Sequence, residues 1–115
     1  MLRVAEFELL VENALRGIPW RFRRRMNNVA IVVEQEPRRP GLLGLYEGRP
    51  LASRSVFEGF AMPDKITIFQ GPHERLARTR AQLEQIVADT VWHEIAHHFG
   101  MDEAQVRKAE RRRGV

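Results

Sequence analysis

The spacing of hydrophobic residues divides the chain into helical and extended segments. In residues 3–16 the apolar side chains recur every three or four positions, as on the buried face of an amphipathic helix, and Gly17 and Pro19 end this pattern. The β-branched run of residues 29–33 lies between turn-forming residues and predicts a buried strand. Residues 63–72 alternate apolar and polar side chains between two prolines, so they predict a second strand that is a candidate sheet edge.

The remaining segments complete a mixed architecture. Residues 38–51 place three glycines around a short apolar piece and predict a brief strand that ends in a turn. Residues 74–99 contain no glycine or proline and predict one long helix, with Gly100 where a left-handed cap belongs. A last short helix is expected over residues 102–112. We therefore expect a single domain over residues 1–115, of the α+β class, with a small β-sheet packed on an N-terminal helix and a long helix.

Composition limits the location of the protein and the chemistry of its sites. The chain has 115 residues, of which 43% are hydrophobic and 30% are charged, as in soluble globular proteins. It has no cysteine, so any metal must bind to nitrogen and oxygen atoms. Glu6, Glu8 and Glu12 interrupt the apolar positions of the first twenty residues, which argues against a secretion signal, and no stretch is long enough to cross a membrane. We expect a cytoplasmic protein without a membrane partner.

The basic residues are mostly arginine and form three clusters, at residues 21–25, 38–39 and 111–113. The net charge is +4 and the isoelectric point is near 10.6. Such clusters can mark phosphate-binding surfaces, but arginines on solvated faces are the more frequent explanation. Only Trp20 and Phe22 are interleaved with them, which argues against a platform that stacks nucleic-acid bases.

Titratable side chains are concentrated in residues 91–103, which contain three histidines and three carboxylates. At 100° per residue, His93, Glu94 and His97 lie on or beside the apolar face of the predicted long helix. Burying such groups without partners costs several kcal/mol, so three together favour a metal ion. Imidazoles four residues apart can bind one ion, and Glu94 is then placed as a general base, which is the H-E-x-x-H (HExxH) arrangement.

A third ligand is expected just after this helix. Gly100 can adopt a positive φ and turn the chain sharply, which brings a following carboxylate back towards the ion. Catalytic zinc sites often use two histidines, one carboxylate and a water. Glu103 is the best candidate for the carboxylate, and Asp102 is the alternative.

The stretch H-E-I-A-H-H-F-G followed by an acid at the third position resembles the signature of the small bacterial zincin-like metallopeptidases, which are related to the metzincins. Counting from His93, the third ligand of that signature falls on Glu103, where the family more often has aspartate. The resemblance extends over most of the chain, including the segments Asn-Val-Ala-Ile-Val-Val-Glu, Leu-Gly-Leu-Tyr-Glu-Gly and Pro-Asp-Lys-Ile-Thr-Ile-Phe. It implies a minimal zincin-like fold.

The activity that the resemblance implies is zinc-dependent hydrolysis of a peptide or protein substrate. A Zn2+ ion held by His93, His97 and Glu103 would lower the pKa of a bound water to about 7 and polarise the substrate carbonyl. Glu94 would take the water proton and return it to the leaving amine. By analogy of fold, the strand at residues 65–70 is a candidate to bind an extended substrate by edge pairing.

Two other functions stay open. A bacterial family of metal-dependent endoribonucleases carries H-x3-H-x5-H, which resembles the spacing here, but Glu94 and Glu103 replace features of that motif and favour a peptidase. The protein is alternatively a non-catalytic binding or regulatory protein that zinc stabilises. A structural site is closed by a fourth protein ligand, whereas a catalytic site keeps a position for water.

Five further polar residues have weaker claims to a functional role. His98 points about 100° away from His97, so a hydrogen-bonded histidine is favoured over a ligand. Asp89 lies one turn before His93 and either orients its ring or belongs to a solvated face, which the pattern favours. His73 is expected at a turn or helix start, and Tyr46 is expected to be packed in preference to donating to an oxyanion. Glu110 follows the motif too closely to be a ligand from a distant helix.

Overall fold

The computed structural model describes residues 2–26, 28–48 and 63–113, apart from the side chains of Glu103, Glu110, Arg112 and Arg113. Within these residues the chain forms three strands and five helices. In chain order they are α1 (Val4–Arg16), α2 (Trp20–Arg23), β1 (Val29–Glu34), β2 (Gly44–Glu47), β3 (Asp64–Phe69), α3 (Gln70–Leu76), α4 (Arg80–His98) and α5 (Glu103–Arg113). None of these helices has both the length and the apolar composition that a membrane span requires.

The three strands form one mixed sheet in which β3 is central. Strand β1 runs parallel to β3 with Ile31 opposite Ile66, and β2 runs antiparallel on the other side with Tyr46 opposite Ile66. The hypothesis that β3 binds a substrate at a sheet edge is therefore wrong, because both of its edges already pair with strands of this chain. Lys65 is exposed and creates the alternation seen in the sequence, but Thr67 is buried on the same side of the strand, as expected for a central position.

The core lies between the sheet and the helices α1 and α4. Its buried side chains come from all three elements: Phe7, Leu10 and Val11 from α1, Ile66 and Ile68 from β3, and Leu83, Val87, Val91 and Ile95 from α4. Burial of each such side chain contributes about 1.5–3 kcal/mol relative to exposure. The arrangement confirms the predicted α+β class, with the N-terminal helix and the long helix packed on a small sheet.

The long helix predicted over residues 74–99 is two helices. The hydroxyl oxygen of Thr79 accepts a hydrogen bond from the backbone N–H of Gln82 at 3.1 Å, and the Gln82 side chain accepts one from the N–H of Arg78 at 2.7 Å. This reciprocal pair caps the start of α4 and closely resembles a capping box. The prediction of one continuous helix is therefore wrong, and the helix that carries His93 and His97 begins at Arg80.

The short helix α2 packs against the C-terminal half of α4. The ring of Phe22 lies 5.9 Å from that of Trp92 and 6.1 Å from that of Phe99, measured between centroids. Trp20, by contrast, is 63% exposed, with the guanidinium of Arg24 over its ring at 4.6 Å. The contacts of Phe22 join α2 to the end of α4, although the sequence pattern did not predict α2.

Candidate metal centre

His93 and His97 lie one turn apart on α4 and their Nε2 nitrogens face each other at 3.3 Å. Two nitrogens that bind one tetrahedral zinc ion at about 2.0–2.1 Å lie roughly 3.3–3.4 Å apart, as follows from the tetrahedral angle. Both side chains are half-buried, so they are held by the fold and remain accessible. The pair therefore fits a single metal ion as two of its ligands.

The ring of His97 is oriented by the end of its own helix. Gly100 has a φ of 90°, the N–H of Gly100 donates to the carbonyl of His97, and the N–H of Met101 donates to that of Ala96. This is a Schellman motif, which needs a residue that tolerates the left-handed region. It places the Met101 carbonyl 3.0 Å from Nδ1 of His97. Because a carbonyl only accepts, the proton of a neutral ring lies on Nδ1, and the Nε2 lone pair faces His93.

Glu103, the predicted third ligand, is the first residue of α5, immediately after this turn. Its side chain lies outside the described residues, so its role as a ligand stays a prediction. Among the described side chains, no group of three histidines or carboxylates lies close enough for one ion. The alternative, Asp102, caps α5: its Oδ1 accepts from the N–H of Gln105 at 2.8 Å, and its own N–H donates to the Gln105 side chain at 2.8 Å.

Glu94 is buried against strand β2, with 7% of its surface exposed. Gly44 makes this close approach possible, since a Cβ atom there would lie 3.1 Å from Oε2 of Glu94 and 2.8 Å from Cγ2 of Thr90. A cavity of about 400 Å³ opens beside these residues. Glu94 and His93 line it together, so the predicted base and one predicted ligand face the same space.

His98 turns away from this cavity into the protein. It is completely buried, and its Nδ1 donates to Oδ2 of Asp64 at 2.9 Å. The hydroxyl of Tyr46 donates to the same carboxylate oxygen. Asp64 thereby joins the strand β2, the strand β3 and the end of α4. His98 is hydrogen-bonded as predicted, and the Tyr46 hydroxyl is engaged with Asp64.

His73 lies at the start of α3, as the sequence predicted, and is completely buried. Its Nδ1 lies 2.6 Å from the carbonyl oxygen of Phe69, and its Nε2 lies 2.8 Å from the hydroxyl of Thr90. Burial lowers the pKa of His73, and the hydrogen bond to Phe69 opposes that shift. In the neutral ring Nδ1 donates to the carbonyl, so Nε2 is an acceptor that faces the hydroxyl of Thr90, one turn before Glu94. The one proton of that hydroxyl has two acceptors within reach, His73 Nε2 and the carbonyl oxygen of Ile86 at 3.0 Å.

Asp89 is half-buried and lines the cavity beside His93. Its Oδ1 accepts a hydrogen bond from Nε2 of Gln85 at 2.8 Å. This hydrogen bond is exposed, in keeping with the solvated face that the sequence pattern favoured, and Asp89 also faces the cavity that Gly44 and the loop before it line from the other side.

Sequence reasoning missed Asp64, Gly44 and Thr90 as parts of this region. Asp64 is 18 residues from Tyr46 and 34 from His98, and no local pattern connects positions so far apart. Gly44 gave a partial signal, since a glycine within a strand often marks a close approach of another element. The role of Thr90 depends on His73, which belongs to a different helix.

Comparison with known proteins agrees with this geometry. Residues 26–113 match the family of zincin-like metallopeptidases, a span that includes all three strands and the helix bearing His93 and His97. No curated protein matches the chain. The family match confirms the resemblance and the minimal zincin-like fold predicted from the sequence. Because it covers most of the 115 residues, the chain belongs to the zincin-like metallopeptidase family.

Proposed function

We propose that the protein is a zinc-dependent peptidase that binds its metal through His93, His97 and Glu103. The observation that carries the proposal is the 3.3 Å separation of the two Nε2 nitrogens, with the other ring nitrogen of His97 held by the Met101 carbonyl. Such outer contacts fix the orientation and tautomer of metal-binding histidines. The family match supports the same chemistry.

Glu94 is the proposed general base. A zinc ion bound at the histidine pair supplies Lewis-acid activation of a water molecule and of the substrate carbonyl. Glu94 follows His93 directly and lines the same cavity, which supports a role in which its carboxylate accepts the proton of that water and delivers it to the leaving amine. The backbone of Gly44 closes one side of the carboxylate and limits its movement.

The substrate is proposed to bind along β2. In the described part of the chain this strand pairs with β3 on one side alone, and its first residue, Gly44, lines the cavity opposite α4 together with the loop 41–43. An extended peptide can add to such an edge through backbone hydrogen bonds. In this proposal the substrate pairs with the edge of β2 and not with the strand at residues 65–70.

The test combines metal analysis with digestion of a peptide library. The zinc-loaded wild type is expected to cleave peptides, and Glu94→Gln is expected to keep the metal and to lose about 10²- to 10⁴-fold in rate. His97→Ala is expected to lose zinc, as measured by metal content after dialysis. Retention of full activity by Glu94→Gln would remove this residue from the mechanism.

Two other outcomes would contradict the proposal. Cleavage of RNA without cleavage of any peptide would favour the endoribonuclease alternative. Tight zinc binding with four protein ligands, as seen by X-ray absorption, would indicate a closed structural site. Glu84→Gln, on the exposed surface of α4, serves as the control for loss of a carboxylate away from the cavity.

A further inference from the structure

The cavity beside the histidine pair has two unlike walls. One wall is the glycine-rich segment 41–44, and the other is the face of α4 that carries Asp89 and His93. Its volume of about 400 Å³ falls within the range of ligand-binding pockets. Resting on the proposed function, we propose that this cavity binds a lysine or arginine side chain next to the scissile bond, and that Asp89 selects it.

The charges that line the cavity support this choice. Asp89 and Glu94 are its charged residues, and neither lysine nor arginine is among the described residues that line it. The full set is Gly41, Leu42, Leu43, Gly44, Ile86, Asp89, Thr90, His93 and Glu94. The two positive charges of a divalent ion at the histidines would be neutralised by the carboxylates of Glu94 and of Glu103, the predicted third ligand. Asp89 is then the negative charge that a cationic side chain of the substrate can neutralise.

The position of Asp89 suits recognition rather than catalysis. It lies one helical turn before His93, so a side chain that reaches it extends away from the reacting bond. Gln85 donates to Oδ1 at 2.8 Å and holds the carboxylate in one orientation. Asp89 is half-buried, and a hydrogen bond in which one partner is ionised is roughly twice as strong as one between neutral groups.

The adjoining cavity has a different character and serves as an internal comparison. It shares Gly41 and Leu43 with the first cavity and is otherwise formed mainly by Pro37, Pro40, Pro72 and Leu76. Its two charged residues pair with each other, since Arg75 donates to both carboxylate oxygens of Glu36 at 2.9 and 2.8 Å. Because these two groups neutralise each other, we assign the selection of a charged substrate side chain to the cavity that contains Asp89.

The experiment compares peptides that are identical except for one residue beside the scissile bond, with arginine, lysine, leucine or glutamate on either side. The wild type is expected to cleave the arginine and lysine peptides with a kcat/KM about 10- to 100-fold above that for leucine. This difference in kcat/KM should come mainly from a lower KM for the arginine and lysine peptides. Asp89→Asn is expected to abolish this preference by bringing the kcat/KM of the arginine and lysine peptides down to that of the leucine peptide. Gln85→Ala keeps the charge and should reduce the preference in part.

Glu84→Gln removes a carboxylate from the same helix, away from the cavity, and should leave the ratio unchanged. Equal cleavage of the arginine and leucine peptides by the wild type would overturn the inference and leave the proposed function standing. A preference that survives in Asp89→Asn would also overturn it.

Binding provides a readout that does not depend on hydrolysis. The zinc-loaded Glu94→Gln variant should bind the arginine peptide about 10- to 100-fold more tightly than the leucine peptide, as measured by fluorescence anisotropy. Adding Asp89→Asn to that variant should equalise the two affinities. If no peptide is hydrolysed by the wild type, the proposed function fails, and an Asp89-dependent affinity for the arginine peptide would then support only the binding of a cationic side chain in this cavity. Equal affinities for the two peptides would overturn it.

Discussion

The Nδ1 nitrogen of His97 lies 3.0 Å from the carbonyl oxygen of Met101, directly beyond the left-handed residue Gly100. The imidazole of His97, a predicted metal ligand, is thereby oriented by the backbone of the turn that ends its own helix. The same turn leads into α5, whose first residue is Glu103. The turn at Gly100 thus orients His97, one predicted ligand, and leads along the chain to Glu103, the next predicted ligand.

Gly100→Ala is expected to weaken both the helix end and zinc binding. The left-handed conformation costs alanine about 1–2 kcal/mol relative to glycine. Displacement of the Met101 carbonyl should lower zinc affinity by about 10- to 100-fold. Competition with a chelator measures the affinity. Gly100→Asn is the matched control, because asparagine tolerates this conformation and should retain most of the affinity. Equal losses in the two variants would disprove the link.

Gly44→Ala is expected to displace Glu94 while zinc stays bound. The new methyl group would lie 2.8 Å from Cγ2 of Thr90, and overpacking of this kind costs about 1–3 kcal/mol. Peptide hydrolysis should fall more than zinc affinity. The double variant Gly44→Ala with Thr90→Ser removes the clashing methyl and keeps the hydroxyl that faces His73, so it should recover part of the stability and rate. No recovery would indicate that the contact is not the cause.

The carboxylate of Asp64 is expected to be a major stabilising group. Tyr46→Phe removes one donor and should cost about 0.5–1.5 kcal/mol of unfolding free energy. Asp64→Ala leaves the buried His98 ring without this acceptor and should cost about 1–3 kcal/mol for each group left unsatisfied. Urea unfolding at neutral pH measures both. A smaller effect for Asp64→Ala than for Tyr46→Phe would contradict the shared role of the carboxylate.

The stability contribution of His73 should depend on pH. Its pKa is lowered by burial in the folded protein, so the unfolded chain takes up the proton more readily. The contribution is therefore complete above the unfolded pKa of about 6.5 and is lost as the pH falls through the folded pKa. The wild type should exceed His73→Gln in stability at about pH 7.5, and this difference should shrink towards pH 5.5. A difference independent of pH would argue against a neutral buried ring.

Local patterns predicted most of the secondary structure and the histidine pair. The H-E-x-x-H spacing fixes two imidazoles on one helical face because helix geometry is regular over four residues. The break before α4 also had a local signal, since Thr79 is followed three positions later by Gln82. The prediction of one long helix depended on the absence of glycine and proline, but a polar cap suffices to start a new helix.

What the sequence could not predict is the pairing of distant residues. Strand β3 looks like an edge by its alternation, and its central place depends on β1 and β2, which come earlier in the chain. The bond between Asp64 and His98 and the cavity wall opposite Asp89 likewise depend on this strand order. Tertiary packing, more than local propensity, decides such features.

The aromatic contact between Phe22 and Trp92 gives the protein its own optical probe. The chain has two tryptophans, and Trp92 immediately precedes His93, whereas Trp20 is largely exposed to solvent. Replacement of Trp20 by phenylalanine would leave a single indole beside the histidine pair. The fluorescence emission of Trp92 would then report the binding of a metal ion at the histidine pair in real time, without any attached dye.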